Sequence, residues 1–322
     1  MKTPRYLVPN DYMADPAVHV FNGRLYIYPS HDRESGIPEN DNGDHFDMKN
    51  YHVFSMDDVD GPVTDHGVVL DVKDIAWAGR QLWDCDVAYR NGKYYMYYPL
   101  KDKNDIFRLG VAISESPEGP FVPQENPIKG SYSIDPAIFQ EGDDNYMYFG
   151  GLWGGQLQRY RNNKALECAR LPEGDEPALC PKVVKLSNDM LSFDGEPQDV
   201  LILDENGQPL KAGDTQRRFF EASWMHKYNG KYYFSYSTGD THLLCYAVGD
   251  HPLGPFTFQG VILTPVVGWT THHAIVEFMG KWYLFHHDSV PSGGRTWLRS
   301  LKVVELEYDE AGKIITIQGG GE

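Results

Sequence analysis

The chain reads as short runs of alternating apolar and aromatic residues separated by tight turns, with almost no helical periodicity. Five segments repeat one pattern: a polar opening residue, small and apolar residues, a turn, and then an aromatic strand. They are DPAVHVFNGRLYIYPS from Asp15, DCDVAYRNGKYYMYYP from Asp84, DPAIFQEGDDNYMYFG from Asp135, EASWMHKYNGKYYFSYS from Glu221 and HHAIVEFMGKWYLFHH from His272. In each, the opening residue stands eight or nine positions before the turn residue: Gly23, Gly92, Asp144, Gly230 or Gly280. Asn-Gly between β-rich runs is the strongest short hairpin signal, because a two-residue turn needs positive φ. It occurs at Asn22-Gly23, Asn91-Gly92 and Asn229-Gly230.

A second motif falls between the hairpins. ESPEGPFVP around Gly119, DHPLGPFTF around Gly254 and a weaker DDVDGPVTD around Gly61 read as one element seen three times, each leading into a further short apolar run. Each repeat therefore carries about four strands, the content of a propeller blade. The pattern predicts an all-β fold, a five-bladed β-propeller filling residues 1–322 as a single domain. Residues 161–218 break the spacing and read as a long, irregular insertion between the third and fourth hairpins, too polar and broken for a second domain.

Charge narrows the partners. With 29 Lys+Arg against 46 Asp+Glu the formal net charge is −17, and no basic cluster offsets it, so nucleic acid and anionic membrane surfaces are excluded as partners. No apolar stretch is long enough to span a bilayer, and the start MKTPRYLVPNDYMADP lacks the apolar core of a secretory signal, so a cytoplasmic setting is expected. Cys85, Cys168, Cys180 and Cys245 are scattered without a CxxC pair, which suits packed thiols in a reducing compartment, with a Cys168–Cys180 bridge as the alternative.

The chemistry lies in the opening residues. Equivalent inner strands that start at equivalent depth bring Asp15, Asp84, Asp135, Glu221 and His272 together at the central channel. Clustered carboxylates repel one another and raise some pKa values, which suits an acid paired with a base across one bond. Glu221, between Phe219-Phe220 and Trp224, stands where desolvation would keep it protonated as a general acid. Asp15 and Asp135 each precede proline, whose fixed φ stiffens the strand start. Asp15 is the candidate base that activates water, and Asp135 the candidate that orients and tunes the acid. Taken singly, each aspartate could merely cap a turn, and Glu221 could pair with Arg217 or Arg218; the shared register favours function.

ADPAV at 14–18, SIDPAIF at 133–139 and FFEASWMHK at 219–227 resemble the three catalytic motifs of glycoside hydrolase family 43, in the same order along the chain. The resemblance runs from the first aspartate to the strand near 308. It implies a five-bladed propeller and an inverting hydrolysis of β-xylosides or α-L-arabinofuranosides, with the two carboxyls about 6.5–9.5 Å apart. LWDCDVAYRNGKYY at 82–95 is similar to the family's second-blade motif; Trp83 and Asp86 are kept, while Asp84-Cys85 replaces a small pair and leaves the role of Asp84 open, near the rim. Trp83 would form a sugar-stacking wall.

GWTTHHAIVEF at 268–278 resembles the fifth-blade histidine motif, and His272 would contact a calcium ion directly or through water. SGGRTWLRS at 292–300 is similar to the late arginine that bonds the sugar, for which Arg295 fits first and Arg299 is the alternative. His31 and Trp153 end the first and third aromatic hairpins and are expected on the pocket rim. The substrate implied is a small xylo- or arabinoxylo-oligosaccharide cut from its end, with no organic cofactor. Two competing readings are a non-catalytic sugar-binding propeller and a fructan- or sucrose-cleaving propeller.

Overall fold

The computed structural model describes residues 3–166, 169–269 and 272–321. Cys168, and with it the alternative Cys168–Cys180 bridge, lies outside the described residues. The chain forms a five-bladed β-propeller of antiparallel sheets. Blade one is Met13–Phe21, Arg24–His31, Asn50–Met56 and Thr64–Asp71. Blade two is Asp86–Arg90, Lys93–Asp102, Phe107–Ser114 and Val122–Pro123, with Ala78–Leu82 added alongside Lys93–Asp102. Blade three is Ala137–Glu141, Asp144–Phe149, Lys182–Leu186 and Phe193–Asp199. Blade four is Glu221–Tyr228, Lys231–Ser237, Leu244–Gly249 and Phe256–Leu263, edged by the short parallel strand Ile202–Leu203. Blade five is Ala274–Phe278, Lys281–Asp288 and Ser300–Leu306, and the N-terminal strand Arg5–Tyr6 completes it. The first strand of each blade packs against that of the next, and the fifth returns to the first, so the ring is closed.

The five hairpins form where the repeat places them. Asn22 and Gly23 both have positive φ, as do Asn91-Gly92, Asn229-Gly230 and Met279-Gly280, the geometry that matches the twist of the flanking strands. The third hairpin turns one residue earlier than expected, on Gly142-Asp143, because Asp144 already pairs with Glu141. The three Gly-Pro motifs fall between the third and fourth strands of blades one, two and four. The stretch 161–218 is less of an insertion than its polarity suggests: Lys182–Leu186 and Phe193–Asp199 are the outer half of blade three. FDGEPQD looks unlike a strand because it is a solvent-facing edge, where polar residues block further pairing.

The N-terminal strand is held by a buried carboxylate of blade five. Asp288 is 1% exposed and accepts the Tyr6 hydroxyl at 2.9 Å and Lys302 Nζ at 2.7 Å, so the N-terminal strand is tied to blade five by a buried pair. Asp86 does comparable work in the inner ring. Its carboxylate pairs with His19 of blade one and accepts the backbone N–H of Ile138 of blade three, joining three neighbouring blades. Among the described residues no helix is long and apolar enough to cross a membrane.

Candidate active site

A local backbone device aims the opening residues at the channel. The register of the first hairpin slips between Ala14 and Ala17, and Asp15 inside the slip has φ +46°. The fourth slips between Glu221 and Trp224, with Ala222 at φ +66°, and Asp135 sits at φ +61° just before its strand. Left-handed conformations are uncommon outside glycine and cluster at functional sites. Here they turn a side chain at or near the start of three inner strands into one pocket.

Asp15, Asp84, Asp135, Glu221 and His272 line one pocket of about 200 Å³, together with Arg299, Trp83 and Trp153. Asp15 is buried, and its Oδ1 stands 2.6 Å from Arg299 Nη1; its backbone N–H donates to His287 Nδ1 at 3.0 Å. Burial opposes ionisation, but Arg299, then His287 and His272, outweigh it and hold the Asp15 carboxyl below its ordinary range. Arg299 is itself fixed by Asp32, which accepts its Nε at 2.8 Å, its Nη2 at 2.7 Å and its backbone N–H at 2.8 Å. Its guanidinium lies 4.9 Å from the centre of the Phe46 ring.

On the other side of the pocket Glu221 has carboxylates and one histidine, His272, for neighbours, and no arginine pairs with it among the described residues. Burial, then the neighbouring Asp135, pushes the Glu221 carboxyl up to about 8, with His272 pulling the other way. Its Oε1 is buried with no hydrogen-bond partner among the described residues. Asp135 Oδ2 accepts the backbone N–H of Ala222, the residue after Glu221, at 2.8 Å, and stands 2.9 Å from His272 Nε2. Asp84 is raised well above the usual carboxylate range by burial and by Asp135, to which it is hydrogen-bonded. Burial would lower His272, but Asp135, Asp15 and Glu221 outweigh it and raise it to about 9. One pocket thus holds an ionised carboxylate and a protonated carboxylic acid, the pair that acid–base hydrolysis requires.

Two aromatic walls enclose this chemistry. Trp83 packs on Phe107 with ring centres 4.7 Å apart and its indole N–H donates to the Phe46 carbonyl at 2.8 Å. Opposite, Trp153 stacks on Trp269 at 5.6 Å, and Phe220 meets Trp153 edge-on at 5.2 Å. The segment from Glu39 to Phe46, between the second and third strands of blade one, closes a further side.

Two expected residues lie elsewhere. His31 is outside the pocket, bonded to Asn50 at 2.7 Å and near Asp11, because strand alternation turns its neighbour Asp32 inward instead. Arg295 is exposed and pairs with Glu34 at 3.4 Å; Arg299, just before the third strand of blade five, is the buried arginine. Phe220 stands beside Glu221 as its place in the sequence suggested, whereas Asp32, Trp269 and the Glu39–Phe46 segment went unnoticed. The run ENDNGDHF carries turn residues and no periodicity, so nothing in it marked a pocket wall.

Asp84, Asp135 and His272 have ligand atoms within 4.8 Å of one another. His272 Nε2 stands 2.9 Å from Asp135 Oδ2 and 3.8 Å from Asp84 Oδ2, so a cation bound there would displace the proton that the imidazole shares with them. Two carboxylates and one imidazole fit a hard divalent cation only if water completes most of its shell.

The sequence profile of glycosyl hydrolases family 43 matches residues 8–314. The chain belongs to that family. A xylosidase/arabinosidase of Bacteroides ovatus is 76% identical over 325 residues, covering 100% of both chains. Among solved structures, RS223 β-xylosidase superposes with a TM-score of 0.99 at 78% identity, covering 100% of both chains. A family 43 β-xylosidase/α-arabinofuranosidase from a compost metagenome, solved with xylotriose in a calcium-free form, superposes with a TM-score of 0.96 at 59% identity, covering 99% of this chain and 100% of that one. This family 43 protein is a glycoside hydrolase.

Proposed function

We propose that the enzyme is an inverting exo-glycosidase that releases xylose, arabinose or both from the ends of short xylo- and arabinoxylo-oligosaccharides. The observation that carries this is the pairing of Asp15 with Arg299, and the placing of buried Glu221 beside Asp135, across one small pocket. Glu221, protonated near neutral pH, gives its proton to the leaving oxygen; Asp15, held ionised by Arg299, takes a proton from the attacking water. Asp135 keeps the acid protonated through its charge and fixes its backbone through the Ala222 N–H. Trp83 and Trp153 flank the sugar, and Arg299 bonds its hydroxyls. The small pocket, walled by Trp83, Trp153 and the Glu39–Phe46 segment, favours a chain end over the middle of a polymer, and the relatives named xylosidase/arabinosidase support the pentose. No organic cofactor enters this scheme. The test is turnover of nitrophenyl β-xyloside, nitrophenyl α-L-arabinofuranoside and xylobiose by wild type and Glu221→Gln. The variant should lose about 10²–10⁴-fold in kcat on xylobiose. Wild type inert on all three substrates would leave the sugar-binding propeller as the better reading.

We further propose that calcium binds at Asp84, Asp135 and His272, with water filling its remaining positions. Bound there, it would supply fixed positive charge next to the tuning carboxylate. Asp84 then has a role that its place in the repeat did not reveal. Chelation should lower both activity and melting temperature, calcium should restore them, and Asp84→Asn should abolish the response. No change in either quantity would remove calcium from the account.

A further inference from the structure

The segment that closes the pocket on the Asp15 side holds a histidine that the scheme above leaves without a task. His45 is 3% exposed, yet it lines the pocket together with Arg299. Its Nδ1 accepts the backbone N–H of Asn40 at 3.3 Å, and its carbonyl accepts the Ser35 hydroxyl at 3.2 Å. A neutral imidazole whose Nδ1 accepts must carry its proton on Nε2. That N–H has no protein acceptor among the described residues. The imidazole is also neutral: burial, then the charge of Arg299, lowers its pKa to about 4.

The support under His45 is stiff. Its ring centre is 4.2 Å from Phe46 and 6.0 Å from the edge-on Trp297. The Gly43 carbonyl accepts Gln81 Nε2 at 2.8 Å, and Asp44 pairs with Arg80 at 2.6 Å. Gly43 lies so close to Trp83 that a Cβ there would stand 2.8 Å from the indole, so the segment cannot slide along that wall. A donor already ordered in this way loses little entropy when a ligand arrives.

We propose that the His45 Nε2–H donates a hydrogen bond to one hydroxyl of the terminal pentose, and that with Arg299 it sets which pentose the pocket accepts. The inference rests on the pentosidase reading above. It assigns His45 to the glycon, because the Phe46 ring it packs on also carries the guanidinium of Arg299, and Arg299 pairs with the base Asp15 rather than with the acid. The ligand it recognises is a neutral sugar hydroxyl acting as acceptor.

The test measures kcat/KM of wild type, His45→Phe and His45→Gln on nitrophenyl β-xyloside, on its three monodeoxy analogues and on xylobiose. His45→Phe should lose about 10- to 100-fold on the parent and on xylobiose alike, and far less on the one analogue that lacks the bonded hydroxyl. His45→Gln, which keeps an N–H of similar reach, should recover part of the loss; it also carries the comparison if the Phe variant does not fold. Equal losses on the parent and all three analogues would overturn the proposal in favour of a packing role. A loss confined to xylobiose would overturn it in favour of the leaving-group side. A wild type that cleaves neither xyloside nor arabinofuranoside would overturn the pentosidase reading, and this inference with it.

Discussion

The two halves of the pocket start from the same material and end in opposite states. Asp15 and Glu221 both lie at the start of an inner strand, within its first three residues, both are buried, and both depend on a left-handed residue at a strand bulge. On the Asp15 side Arg299 stands within 2.6 Å, clamped by Asp32, and the carboxyl stays charged. On the Glu221 side the nearest strong influence is another carboxylate, Asp135, and the carboxyl stays protonated. Burial raises a carboxyl pKa wherever it occurs; the sign of the neighbouring charge decides whether that rise survives. The propeller brings like residues to one depth, and the residues brought in beside them assign the roles.

Several measurements can break this contrast, beginning with the strongest. Asp15→Asn and Glu221→Gln should each lose about 10²–10⁴-fold in kcat on xylobiose. On a nitrophenyl glycoside, whose leaving group needs less protonation, Glu221→Gln should lose much less and Asp15→Asn about as much as before. The reverse pattern would exchange the roles.

Arg299→Met should cost about 10²–10³-fold in kcat/KM and move the acidic limb of the pH profile upward, since Asp15 would lose the cation that keeps it ionised. It should also lower stability by about 3–5 kcal/mol, because Asp15 and Asp32 would remain buried without their partner. Unfolding in urea would show that loss.

Asp135→Asn should move the basic limb downward in the chelated enzyme. Activity needs Glu221 protonated and falls as pH rises through about 8; removing the negative neighbour lowers that value. An unmoved basic limb would mean that burial alone protonates Glu221.

The smallest effect is on stability. The folded pKa of Glu221, about 8, exceeds its ordinary value of 4.5, so its contribution to stability is full below about 4.5 and is lost as pH rises towards 8. Glu221→Gln should therefore melt a few degrees above wild type, and by a larger margin at pH 8 than at pH 5. An equal margin at both would argue against a shifted acid in the folded enzyme.

Most of the fold was legible because turns and aromatic strands repeat locally. Asn22-Gly23 declares its hairpin whatever surrounds it. The outer half of blade three was hidden, since Phe193–Asp199 has no buried face to impose alternation. In the pocket, the opening residues were visible through their shared register. What they touch was not: Asp32 and Arg299 are 267 positions apart and meet only because the ring closes. Arg295 and Arg299 belong to one short motif, and only the start of a strand distinguishes the exposed arginine from the buried one. His31 and Asp32 pose the same problem, resolved by which side of the strand faces inward. His45 had no pattern to announce it at all.

The most direct test of opposite protonation is a carbon-13 NMR titration of enzyme labelled at glutamate side-chain carboxyls, with the Glu221 signal assigned by its loss in Glu221→Gln. The account predicts that this carboxyl titrates at about 8 in the chelated enzyme and shifts downward in Asp135→Asn. A Glu221 carboxyl that titrates near its ordinary value of 4.5, already ionised at neutral pH, would contradict it.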